Sequence, residues 1–383
     1  MRKPLGILWA IVLLSITITA YAQDTTSVKA RPKVGLVLSG GGAKGAAHIG
    51  VLKYLEQAGI PIDYIAGTSM GAIVGGMYAM GYSADEILDL ISAVDWDRLI
   101  SNQVDRQRTS YESKRRSKTQ LATIPFSVGT DTEELQSRSF KNSLPTGIVT
   151  GDNLINLFNS LSVGYSDPID FEELPIPFLC IATNVATGKA DILDKGIFAK
   201  SLRASMAIPV LFDPVPIGNT LYADGGLLNN FPAEQCRAMG ADFVIGVSMS
   251  SGLEKDTANL SSPFSQIQQL KVIITDRDFD NYHKMCDIFI SPELNGVGML
   301  SFDAESVARM TSSGYEAASR SEAEFQALKK QIFNDSASDK QDSLTAKKAI
   351  NILQNKILIS RIEMDGVEND IEKWMRRACQ VQV

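Results

Sequence analysis

The chain has 383 residues, 44% hydrophobic and 21% charged, with 37 basic and 44 acidic side chains for a net charge of −7. This composition excludes a collagen-like, wholly disordered or disulfide-scaffold protein, and the length allows one large domain or two. The acidic balance argues against general nucleic-acid binding, which needs a basic face, and only His48 and His283 are available for histidine chemistry or metal binding.

Arg2 and Lys3 precede an apolar run from Leu5 to about Ala20, and Ala20-Tyr21-Ala22 matches a small-x-small cleavage site. Residues 1–22 therefore read as a secretory signal peptide, the run being short for a membrane span of about 20 apolar residues. Its removal leaves 35 basic against 44 acidic side chains, a mature chain of −9. An exported chain is permitted disulfides. Yet Cys180, Cys236, Cys286 and Cys379 are widely spaced without a CxxC, and they read as buried free thiols.

After a polar leader at 23–32, strand and helix patterns alternate. Val34–Leu38 reads as a strand, Ala46–Ala58 as a helix, Ile62–Ala66 as a strand and Met70–Met80 as a helix. Between Leu99 and Gly151 the pattern weakens, with a basic run Lys114-Arg115-Arg116 and Lys118, a solvated loop or a flap over a site. Pro177–Thr183 and Phe243–Ser248 are further strands, and 305–332 has helix-forming composition. Alternation with near-continuous apolar strands implies a parallel sheet covered on both faces. A polar linker occupies 334–345. Beyond it come an imperfectly alternating strand, an Asp365-Gly366 turn, and a helical face of Ile371, Trp374, Met375 and Ala378.

Three motifs carry chemistry. Ser39, Gly40, Gly41, Gly42, Ala43, Lys44 and Gly45 follow the first strand and precede a helix. Glycines let backbone N–H groups approach a ligand, and the helix start adds its positive dipole end, so this is an anion cradle. Gly40-x-Gly42-x-x-Gly45 also fits a dinucleotide fingerprint, which wants an acidic residue at the end of the next strand, whereas the available Asp63 precedes that strand. The second motif is Gly67-Thr68-Ser69-Met70-Gly71, a G-x-S-x-G in the strand–turn–helix setting that presents a serine hydroxyl on a strained turn. Gly75 and Gly76 inside the following helix imply very close packing against it, since each costs roughly 0.5–1 kcal/mol relative to alanine. The third is Asp224-Gly225-Gly226, by itself a common turn sequence. A serine nucleophile needs a base. His283 is the histidine in the right chain order for a hydrolase triad. A carboxylate serves instead if it is partly desolvated and in short contact.

Taken in this order, the three motifs resemble the patatin-like phospholipase family, which combines a glycine-rich oxyanion loop, G-x-S-x-G and D-G-[GA]. Ala47-His48-Ile49-Gly50-Val51-Leu52 follows the loop as in the family's bacterial branch, and Ser201-Leu202-Arg203-Ala204-Ser205-Met206-Ala207-Ile208-Pro209 with Phe212-x-Pro214 resembles the family's stretch leading into the aspartate strand; with the signal peptide, the chain is similar to the bacterial, exported branch. The likeness covers about 33–250 and extends toward 330. It implies a three-layer α/β/α sandwich with a mainly parallel central sheet, and a hydrolase domain over 33–332. It implies Ser69 as nucleophile, Asp224 as base, and Gly41, Gly42 and Ala43 as the oxyanion hole. Lys44 stands where the family has Arg or Lys, and His48 is then a satisfied helix residue. The implied reaction is hydrolysis of lipid acyl esters through an acyl-serine, with no metal or cofactor, on a lipid or membrane-surface substrate. Residues 356–367 resemble the opening of a POTRA domain, making 356–383 a partial β–α unit. That likeness implies a periplasmic or outer-membrane location and an envelope partner. Three other readings stay open: a hydrolase using His283, a non-catalytic module of the same family binding lipid or partner proteins in an envelope assembly, and a nucleotide-binding protein.

Overall fold

The chain is described by a computed structural model over residues 31–101, 147–250 and 279–333, with positions 266, 269, 270 and 273. The signal peptide, almost all of the polar leader, most of the stretch between Leu99 and Gly151, the linker and the tail lie outside the described residues.

Runs such as Val34–Leu38, VGLVL, are buried at every position, so both faces of the strand must be covered. The main sheet has eight strands: β1 Val34–Leu38, β2 Tyr64–Thr68, β3 Phe178–Asn184, β4 Lys189–Leu193, β5 Val215–Ile217, β6 Thr220–Asp224, β7 Phe243–Val247 and β8 Ile288–Ile290. Strands β8, β7, β1, β2 and β3 are neighbours in that order and all parallel, whereas β4, β5 and β6 enter antiparallel. Helices α1 Ala47–Ala58, α2 Met70–Ala79, α3 Ala84–Ala93, α4 Phe198–Ser205, α5 Ala233–Ala238, α6 Phe279–Met285, α7 Ala304–Arg320 and α8 Glu322–Phe333 are among those that flank the sheet.

Side chains alternate across each strand and so build two separate cores. Leu36, Leu38, Ile65, Phe178, Cys180, Ile245 and Val247 pack on one side with residues of α1, α2, α4, α7 and α8. Val37, Ala66, Leu179, Ile181 and Val244 face the other side, where Phe231, Cys236 of α5 and Tyr282 of α6 cover them. The result is the α/β/α sandwich expected. The glycines of α2 serve close packing: a Cβ at Gly75 would sit 2.9 Å from Ile65 Cγ2, and one at Gly76 would sit 3.0 Å from Phe198 Cζ.

Some boundaries differ from the sequence pattern. The second strand begins at Tyr64 rather than Ile62, because Pro61 cannot donate to a ladder and Asp63 turns its carboxylate to Val34 N–H at 2.8 Å. The stretch at 305–332 divides at Ser321 into α7 and α8. Strands β4, β5 and β8 were not evident in the sequence, being short or, in β4, exposed along most of its length.

One feature of the sheet positions the site. The first half of β3 pairs with β2, ending at Thr68↔Ile181. Its second half pairs with β6, ending at Asp224↔Ala182. Because β4 occupies the opposite edge of β3 over Cys180–Asn184, β2 and β6 share one edge and run toward each other. Their C-terminal ends meet at consecutive positions of β3.

Candidate active site

That meeting brings Ser69 and Asp224 together, although 155 positions separate them in the chain. Ser69 follows the last residue of β2 and has φ 54° and ψ −123°, the left-handed region that L-residues other than glycine seldom occupy. The strained turn aims its hydroxyl at Asp224, where Oγ donates to Oδ2 at 2.7 Å. Both residues are buried, at 3% and 2% exposure. The turn closes only without side chains at its flanks: a Cβ on Gly71 would lie 2.2 Å from Leu38 O, and one on Gly67 would lie 2.7 Å from Ala72 Cα.

Asp224 is held on all sides. Its Oδ1 accepts from Gly226 N–H at 2.7 Å, its N–H donates to Ala207 O at 2.8 Å, and its carbonyl accepts from Thr183 Oγ1 at 2.9 Å. The Asp-Gly turn thus fixes the carboxylate by bonding its own downstream backbone. Gly225 gives the turn its close seat on β3, where a Cβ would lie 2.2 Å from Ile181 O.

The glycine loop leaves β1 beside this pair. A Cβ on Gly40 would lie 2.9 Å from Ser69 Cβ, so the loop backs directly onto the serine. Gly42 has φ 58°, and the N–H groups of Gly41 and Gly42 have no acceptor among the described residues. Ala43 differs: its N–H is committed to Met299 O at 2.7 Å. That bond takes Ala43 out of the donor set expected from the motif and leaves Gly41 and Gly42. Lys44 is half-buried in the 3₁₀ turn Gly42–Ala46 that leads into α1, and Gly45 packs where a Cβ would meet Met70 Cγ at 2.2 Å.

The histidines are not beside the pair. His283 is exposed on α6, with its ring 5.7 Å from that of Phe289, and makes no hydrogen bond to Ser69 or Asp224. His48 is fully buried on α1, with Nε2 at 2.8 Å from Ser39 O. A carbonyl only accepts, so Nε2 carries the proton and Nδ1 is left as a buried acceptor with no partner among the described residues. Burial lowers its pKa to about 4, partly offset by the Ser39 hydrogen bond. The ring is only half satisfied, not the fully satisfied helix residue expected. Asp63 lies at the start of β2 and bonds Lys33 Nζ and Val34 N–H, at the far end of the sheet from the glycine loop. The dinucleotide reading therefore lacks its acidic partner.

Asn230 carries no sequence signal, and the contacts made by Ser39, which opens the glycine motif, and by Ser205 are set by packing. Ser39 Oγ accepts from Met249 N–H at 2.8 Å and ties the glycine loop to the end of β7. Asn230 Nδ2 reaches Gly40 O at 3.5 Å. Ser205 sits inside the Ser201–Pro209 stretch, where its spacing was visible but not its contact. Cys180 and Cys236 are buried and unpaired, their thiols pushed up by desolvation, and Cys286 is partly exposed and also unpaired. Among the described residues no group of three or more His, Cys, Asp or Glu side chains is arranged to hold a metal ion.

A family model described as patatin-like phospholipase matches residues 36–237. A lysophospholipase NTE1 of Debaryomyces hansenii is 28% identical over 257 residues, which is 65% of this chain and 14% of that protein. An uncharacterised NTE family protein of Mycobacterium tuberculosis is 32% identical over 232 residues, 61% of this chain and 53% of that one. Among solved structures, VipD from Legionella pneumophila aligns with a TM-score of 0.43 and 17% identity over 78% of this chain and 67% of that one. The chain thus spans between a seventh and about half of the length of these two sequence relatives.

Proposed function

The chain belongs to the patatin-like phospholipase family, and we propose that it hydrolyses acyl esters of lipids through an acyl-serine intermediate on a dyad of Ser69 and Asp224. The observation that carries this reading is the 2.7 Å hydrogen bond from Ser69 Oγ to Asp224 Oδ2 at a strained, buried turn. The activity named for the Debaryomyces relative supports lysophospholipids among the substrates.

The steps follow from the donors and acceptors present. As Ser69 Oγ bonds to the ester carbonyl carbon, its proton passes to Asp224 Oδ2. Negative charge then gathers on the former carbonyl oxygen, next to the glycine loop. Gly41 and Gly42 N–H groups stabilise it, as donors fixed before the reaction begins. The tetrahedral species collapses, the ester's C–O bond breaks, and the alcohol leaves with the proton from Asp224. Water attacks the acyl-serine in the same way, giving its proton to Asp224; the bond from the acyl carbon to Ser69 Oγ then breaks, Asp224 returns the proton to Oγ, and the fatty acid departs. The Gly226 N–H on Oδ1 keeps Oδ2 turned toward the serine through both halves.

Residues 1–22 and 356–383 support placing this activity outside the cytoplasm, in the periplasm or at the outer membrane, with an envelope partner for the tail; fractionation of cells expressing the full chain tests the placement. For the chemistry, esterase and lysophospholipase turnover should fall by about a thousandfold or more in Ser69→Ala and in Asp224→Asn. Wild-type turnover in Asp224→Asn would remove the dyad from the account.

A further inference from the structure

The geometry points to Ser205 as a positioning residue that holds the Ser69 turn in its reactive shape, an inference that rests on reading Ser69 as the nucleophile. Ser205 is the last residue of α4 and is completely buried. Its Oγ accepts the Ser69 backbone N–H at 3.0 Å and donates to Ile181 O at 2.6 Å.

These two partners mark the end of a ladder. The parallel pairing of β2 with β3 stops at Thr68↔Ile181. At the next residue the chain turns into the left-handed region, and the Ser69 N–H leaves the line of the ladder. The Ser205 hydroxyl fills the gap, taking the orphaned N–H and satisfying the orphaned carbonyl. A hydroxyl can do both at once, since it offers one donor and two acceptor lone pairs. All three residues are buried, so water is not freely available to substitute.

The same short segment also anchors the other half of the dyad. Ala207, two residues after Ser205, accepts the Asp224 N–H at 2.8 Å. Ser205–Ala207 therefore grips the backbone of Ser69 and of Asp224, which arrive from opposite strand ends. The side chain of Ser205 is the link that sets where Ser69 stands relative to its base.

Ser205→Ala removes that link and leaves every other residue of the site in place. The expected result is a fall in kcat of about tenfold to a hundredfold with KM unchanged, since small misplacements of a reacting group cost that much. Inactivation by a fluorophosphonate probe slows by the same factor. Ser205→Cys keeps the volume with a weaker donor and acceptor, and falls between the two. Ser201→Ala, which deletes a buried hydroxyl one turn earlier on α4, keeps the wild-type kcat. Wild-type kcat and labelling rate in Ser205→Ala overturn the inference, as does an equal loss in Ser201→Ala. A folded wild-type protein that neither turns over ester nor takes the probe overturns the nucleophile reading itself, and the role of Ser205 falls with it.

Discussion

Acid should destabilise this fold through a single buried ring. His48 is neutral when folded, its pKa lowered by burial from 6.5 to about 4. A lowered folded pKa means the unfolded chain binds the extra proton first. The stability from the neutral ring is therefore complete above pH 6.5 and is lost as pH falls toward 4. Between those values the linkage amounts to about 3 kcal/mol, of which about 2 kcal/mol is gone at pH 5. The protonated ring would also place a second donor at Nδ1, which has no acceptor facing it among the described residues. Urea unfolding at pH 7.5 and pH 5.0 measures this, with His48→Gln as the reference. Gln keeps an N–H for the Ser39 carbonyl and does not titrate. The wild-type protein should lose about 2 kcal/mol more than the variant over that interval. Equal losses in the two proteins would refute the argument, because they would mean that His48 titrates normally in the fold.

Gly42→Ala forces an L-residue to φ 58° and brings its Cβ to 2.5 Å from Met299 O. Turnover should drop at least tenfold with a stability loss of about 1–2 kcal/mol, because the loop must shift its N–H groups to accept the methyl. Unchanged kcat would detach the loop from the chemistry. Ser83 caps α3 in a reciprocal box, its Oγ accepting from Glu86 N–H at 3.3 Å while Glu86 Oε2 accepts from Ser83 N–H at 2.9 Å. Ser83→Ala should cost about 1 kcal/mol in urea unfolding and leave turnover untouched, since α3 is remote from Ser69 in its bonding.

The local part of this site was legible in the sequence. Glycine runs and a G-x-S-x-G between strand and helix have few structural uses, and the turn at Ser69 proved to have the strained backbone that the motif demands. The apolar runs of β1, β2, β3 and β7 announced a covered parallel sheet because each is buried on both faces. The meeting of β2 and β6 end to end along β3 was not legible. It depends on register between segments far apart in the chain, which no local pattern records. Ala43 misled for the same reason, since its acceptor, Met299, comes from a distant loop. Ser205 lies within a stretch that resembles the family, but a hydroxyl's two partners are a property of packing and not of spacing.

Every proposed step depends on Ser69 being an activated nucleophile and on Asp224 activating it. Peptide mapping of the full chain after reaction with a fluorophosphonate probe tests this most directly, comparing wild type with Ser69→Ala and Asp224→Asn. The wild-type protein should carry one adduct on Ser69, Ser69→Ala none, and Asp224→Asn should label about a hundredfold more slowly. A folded wild-type protein without an adduct, an adduct on another residue, or wild-type labelling in Asp224→Asn would contradict it.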